Sequence, residues 1–137
     1  MKSLKTLLFT FVLMLASTVV FGQVKDWKEQ KDFHAVMSKT FHPAEEGNLQ
    51  PIKMRSAELV AKAEAWKNSA MPAGVQDQKA VKKSLKQLVK GSKKLNNSVK
   101  KGASDAELVK QLTELHDVFH TIVGLCNAKE EDHNHDH

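Results

Sequence analysis

Apolar residues recur every three or four positions along most of this chain, the spacing of one face of an α-helix. From about Val24 to Phe41, Trp27, His34 and Phe41 repeat at intervals of seven, with Phe33, Val36 and Met37 beside them. That spacing predicts a first helix with His34 on its core stripe. Pro43 predicts the helix end, because its ring removes an amide donor and collides with the preceding turn. The stretch His42 to Gln50, with Glu45, Glu46, Gly47 and Asn48, predicts a polar loop. A second helix is expected from Pro51, a residue suited to a first turn, to about Ser69. Its buried side would carry Ile52, Leu59, Ala63 and Trp66. After a turn at Met71 to Gly74, a seam of Val81, Leu85, Leu88, Leu95 and Val99 predicts a third helix over Val75 to Lys101. Gly91 interrupts that helix, and Gly102 stands where a terminating glycine belongs. Ser104 and Glu107 have the spacing of a capping box and open a fourth helix ending near Asn127. Its stripe is Leu108, Leu112, Leu115, Phe119, Ile122 and Cys126.

Period-two alternation is scarce, so the expected fold class is all-α. Four amphipathic helices joined by short loops predict an antiparallel up-down-up-down four-helix bundle. The chain ends read differently. Lys2 and Lys5 precede an apolar run from Leu7 to Val20, and Val20 and Gly22 are small residues suited to cleavage before Gln23. This is the order of a secretory signal peptide, and the run is shorter than the about 20 residues a spanning helix needs. The organisation expected is therefore a signal peptide over 1–22, a bundle over 23–127 and an acidic, His-rich disordered tail over 128–137. Such a protein is periplasmic or secreted, with no stable membrane span after processing.

Composition changes this picture in two places. The sequence has a single cysteine, Cys126, so no internal disulfide framework supports the fold. Cys126 is expected to be a small buried hydrophobe, with metal ligation or an intermolecular disulfide as the alternatives. The formal net charge is +5, and nine lysines fall between Lys79 and Lys101. That helix face is expected to be solvated, with an acidic protein partner or a lipid headgroup as alternatives; a homodimer is a separate expected alternative. Export and the lack of interleaved aromatics argue against nucleic acid.

The histidines carry the candidate chemistry. His116 and His120 are spaced i, i+4, which sets two imidazoles one turn apart on one helix face. They stand about 80° and 120° from the centre of the fourth helix's apolar stripe, on the flank where a neighbouring helix passes. If helices 1 and 4 are antiparallel neighbours, His34 lies level with about residue 118 and Met37 with about residue 115. Three imidazoles, His34, His116 and His120, are thus expected at one height. Met37 would be a possible thioether ligand and His42 a more distant candidate. Glu45 and Glu46 would be supporting or alternative ligands. Imidazoles suit Zn²⁺, Cu²⁺ or Ni²⁺, and an added Met favours copper. His133, His135 and His137 give the tail a metal-capturing composition. The expected function is transition-metal binding for sensing, buffering or delivery, with a structural or partner-binding bundle as an alternative.

The helical outline, with Met37 on helix 1 and His116 or His120 on helix 4, resembles the cytochrome b562 and cytochrome c′ group of exported four-helix bundles. The resemblance implies haem b held axially by Met37 and His116 or His120, and electron transfer. It departs from that group in having its methionine in mid-helix. The absence of a C-x-x-C-H motif excludes covalent haem attachment. No H-E-x-x-H motif and no Ser-His-Asp arrangement marks an enzyme.

Overall fold

The computed structural model describes residues 26–128; the expected signal peptide and all of the tail but Ala128 lie outside the described residues. Four helices follow in order: α1 Lys28–Glu45, α2 Gln50–Asn68, α3 Gln78–Lys100 and α4 Asp105–Asn127. Each packs on its neighbour in sequence, and α1 closes the ring on α4 along the sparsest of the four seams. The contacts run in opposite senses along the α1–α2, α2–α3 and α1–α4 pairs. Trp27 and Phe33 of the α1 side meet Ser69 and Trp66 at the far end of α2. Ser56 and Glu64 of α2 meet Asn96 and Lys93 of α3. His34 and Phe41 of α1 meet Phe119 and His116 of α4. The arrangement is an all-α, antiparallel bundle. No helix among the described residues is long and apolar enough to cross a membrane.

The core follows the heptad-like spacing of the sequence, with one phase correction. On α1 the buried residues are Phe33, Val36, Met37, Thr40 and Ala44. His34 is exposed and Phe41 only half-buried, so the interior stripe is centred one residue away from the Trp27/His34/Phe41 repeat. At the centre, Trp66 is wholly buried and its ring meets Trp27, Phe33 and Phe119 at centroid distances of 5.7, 5.8 and 6.0 Å. These are aromatic contacts of the offset and edge-on kind that add to area burial. Trp27 is tied down by its Nε1–H, which donates to Ser69 Oγ at 2.8 Å; that hydroxyl donates in turn to the Trp66 carbonyl at 2.6 Å.

A second correction concerns Pro43. The helix does not stop there but continues to Glu45. Pro43 lacks the amide that would donate to the Lys39 carbonyl, and only Ala44 and Glu45 of the helix follow it. The Pro43 carbonyl then accepts the amides of Glu46 and Asn48 and closes the end. The predicted loop shrinks accordingly to residues 46–49.

The other ends are set by side chains and glycines. Asp77 Oδ1 accepts the Ala80 amide at 2.9 Å and starts α3 later than the apolar pattern suggests; Val75 is buried in the preceding connection. Gly102, with φ +69°, ends the same helix in the left-handed region. Ser104 Oγ accepts the Glu107 amide at 3.2 Å as expected, while the Glu107 carboxylate accepts from Gln111 Nε2 at 2.8 Å.

Trp66→Ala is expected to cost about 3–5 kcal/mol, because it empties the aromatic centre. Ser104→Ala, which removes only a cap, is expected to cost about 1 kcal/mol. Urea unfolding followed by circular dichroism at neutral pH checks both the order and the gap between them.

Candidate functional site

The α1–α4 seam is lined by rings. Seen from the middle of the bundle outward, His34 lies parallel on Phe119 (5.0 Å between centroids, 3° between planes). Phe119 also meets His120 edge-on at 5.5 Å. His120 and His116 cross at 84° with centroids 4.4 Å apart, and their Nε2 atoms are 3.1 Å apart. Phe41 covers the other face of His116, parallel within 8° at 3.9 Å. In the last turn of α1, His42 Nδ1 stands 3.3 Å from Glu45 Oε2.

The local causes are simple. The i, i+4 spacing on α4 brings His116 and His120 to one side of the helix. Continuation of α1 through Pro43 does the same for His42 and Glu45, at i, i+3. Sequence reading missed that second pair because it ended the helix at the proline. The signal that could have found it is the position of Pro43 within the last turn, where a proline costs a helix little. Phe41 and Phe119 then act as flat spacers that bring the helices' imidazoles into one seam while the sparse packing keeps them accessible.

The expected site is only partly assembled. His116 and His120 come together as predicted, and His34 falls beside Phe119, at the height assigned to it. His34 nevertheless lies on the phenyl face instead of in the core. Among the described residues no three His, Cys, Asp or Glu side chains are grouped to hold a metal ion. The seam carries two pairs: His116 with His120, and His42 with Glu45. Met37 is 0 % exposed, inside the core and away from the rim where the histidines stand. The haem expectation fares accordingly. Its methionine is enclosed, and the interior between α1, α2 and α4 is filled by Phe33, Trp66 and Phe119 in mutual contact. That packing does not fit a porphyrin plane. His133, His135 and His137 lie outside the described residues. Cys126 is buried, 4 % exposed, and burial pushes its thiol pKa up.

Electrostatics favour uncharged imidazole at the inner histidine. Half-burial, first, and the proximity of His120, second, hold the His116 pKa below its ordinary value of 6.5. His42 acts in the same direction, while the carboxylates of Asp117 and Glu45 oppose it. The influence of His42 and Glu45 on His116 means that both pairs share one electrostatic neighbourhood. A neutral imidazole is the form that offers a lone pair to an ion.

No protein-family model matches this chain, and no curated protein or solved structure matches it. What fold and seam define is a class: a four-helix bundle with histidines along the seam between its first and last helices.

The lowered His116 pKa carries a sign. The unfolded chain takes up its proton near pH 6.5 and the folded chain only at lower pH. Stability from this group is therefore complete above that value and is lost as the pH falls through the folded pKa. Asp32 and Glu107, whose ordinary values are 3.8 and 4.5 and are lowered by Lys28 and Gln111, titrate below this range. The urea midpoint is expected to drop between pH 7 and pH 5, and the drop is expected to be smaller in His116→Asn. Equal slopes for the two chains would refute the assignment.

Proposed function

We propose that this chain is an exported transition-metal-binding bundle that takes one Zn²⁺, Cu²⁺ or Ni²⁺ ion on the α1–α4 seam. The observation that carries the reading is the 3.1 Å separation of the His116 and His120 Nε2 atoms. Two nitrogens on one ion, each at about 2.0–2.1 Å with an angle of about 90–109° between them, lie about 2.8–3.4 Å apart. The pair therefore has the spacing of adjacent ligands with little rearrangement. Two ligands alone make a weak site, and the donors on α1 that share its electrostatic neighbourhood are His42 and Glu45. Both are exposed, and turning them from their mutual contact over Phe41 would raise the donor count to four. An N₃O set of this kind suits the borderline divalent ions of the later first row, not Ca²⁺ or Mg²⁺.

Further support comes from the lowered His116 pKa, which keeps the imidazole unprotonated near neutral pH. The rings of Phe41 and Phe119 support it too, since they restrict imidazole rotation and so reduce the entropy lost on binding. The signal-like N-terminus points to an extracytoplasmic compartment, and the histidines of the tail suit a chain that captures ions there.

The test uses the full-length chain with His133, His135 and His137 replaced by Asn, so that only the seam is read. Titration with Zn²⁺ or Cu²⁺ by calorimetry is expected to give one site per chain, weakening below pH 6. His116→Asn and His120→Asn are each expected to weaken it by at least about 10- to 100-fold, the range for losing a mere outer-shell partner of a ligand. Glu45→Gln is expected to have a smaller effect in the same direction. Unchanged affinity in the His116→Asn/His120→Asn double variant would overturn the proposal.

A further inference from the structure

A second feature lies on the other side of the bundle, where the start of α1, the end of α2 and the start of α3 leave a cleft of about 400 Å³. That volume is within the about 300–1,000 Å³ common for small-molecule sites. Its floor is apolar, formed by Trp27, Leu85 and Met71, of which the first two are buried and the third half-buried. Lys67 from the last turn of α2 and Lys82 and Lys86 from α3 stand around it. The lining contains no acidic residue. Among the described residues, ion pairs form at Lys28, Lys31, Lys53, Lys93 and Lys110, but not at Lys67, Lys82 or Lys86.

We propose that this cleft binds a single-tailed organic anion, an alkyl carboxylate of medium chain length. Three observations lead to that occupant. Like charges one helical turn apart, as at Lys82 and Lys86, repel, and an anion between them and Lys67 removes the repulsion. Met71 and the edges of Trp27 and Leu85 are the apolar surface the cleft leaves open, and a hydrocarbon body covers it where water gains nothing. The floor is also fixed in advance. Trp27 Nε1–H is committed to Ser69 Oγ, and the Ser69 hydroxyl proton to the Trp66 carbonyl. Neither group has a donor left for the ligand, so recognition of the head falls to the three ammonium groups and the Gln78 amide. The proposal is independent of metal binding on the α1–α4 seam.

The test titrates the full-length chain with decanoate in the presence of EDTA, by calorimetry and by the two indole N–H signals in a ¹⁵N–¹H spectrum. Saturable binding is expected, with the Trp27 indole signal shifting more than that of Trp66. Lys82→Glu/Lys86→Glu is expected to weaken decanoate by about tenfold or more, as losing charge-assisted contacts does. Lys90→Glu/Lys94→Glu, on the same helix but lining a different groove, is expected to leave affinity unchanged. Decanol or decyltrimethylammonium binding as well as decanoate would overturn the proposal. So would an unmoved Trp27 signal, equal weakening by the two double variants, or no change with Lys82→Glu/Lys86→Glu.

Discussion

The burial of Trp66 among Trp27, Phe33 and Phe119 is the contact on which the rest of the bundle depends. It joins α2 to both α1 and α4, so one side chain determines how close those two helices approach. Phe33 and Phe119 are themselves in ring contact at 5.9 Å, which completes the cluster across the α1–α4 seam. Aliphatic residues at these positions would let the helices settle closer together. Three large rings hold the seam apart at the height of His34 and His120, and the histidines occupy the gap at the surface. The site is in this sense a by-product of a core made wide by aromatics.

The seam's second property is its uneven coverage. Phe41 and Phe119 remove water from one face of His116 and from part of His120, while the nitrogens remain accessible at the rim. Partial desolvation of this kind penalises the imidazolium without blocking entry of an ion. A fully enclosed histidine pair would require a matching hydrogen-bond partner for each nitrogen. Here the two Nε2 atoms share one hydrogen, one donating and the other accepting; an ion would take both lone pairs once the donor ring carries its proton on Nδ1.

Much of this architecture was legible in the sequence, for physical reasons that differ by element. Helices 2, 3 and 4 were readable because their apolar stripes are long and Ser104 has a cap's spacing. The height of His34 opposite Phe119 followed from rise per residue alone. The errors cluster on α1. There a seven-residue repeat of aromatic rings marked the edge of the buried face, because Phe41 and His34 use their flat surfaces at a half-open seam. Periodicity reports which residues share a side of a helix, not how deep that side sits. Pro43 misled because its effect depends on how many carbonyls follow it, which spacing does not encode. Met37 was rightly placed at the height of the histidines but on the inward side, and height without azimuth does not make a ligand.

Cys126 sits at the last turn of α4 with its sulfur in the core, where the thiolate is disfavoured. Thiol–disulfide exchange proceeds through the thiolate and needs an open line of approach. In any oxidising compartment, an exposed unmatched sulfur risks covalent capture by another sulfur. Folding itself removes that hazard here, so the finished bundle carries its only cysteine as an inert hydrocarbon-like filler.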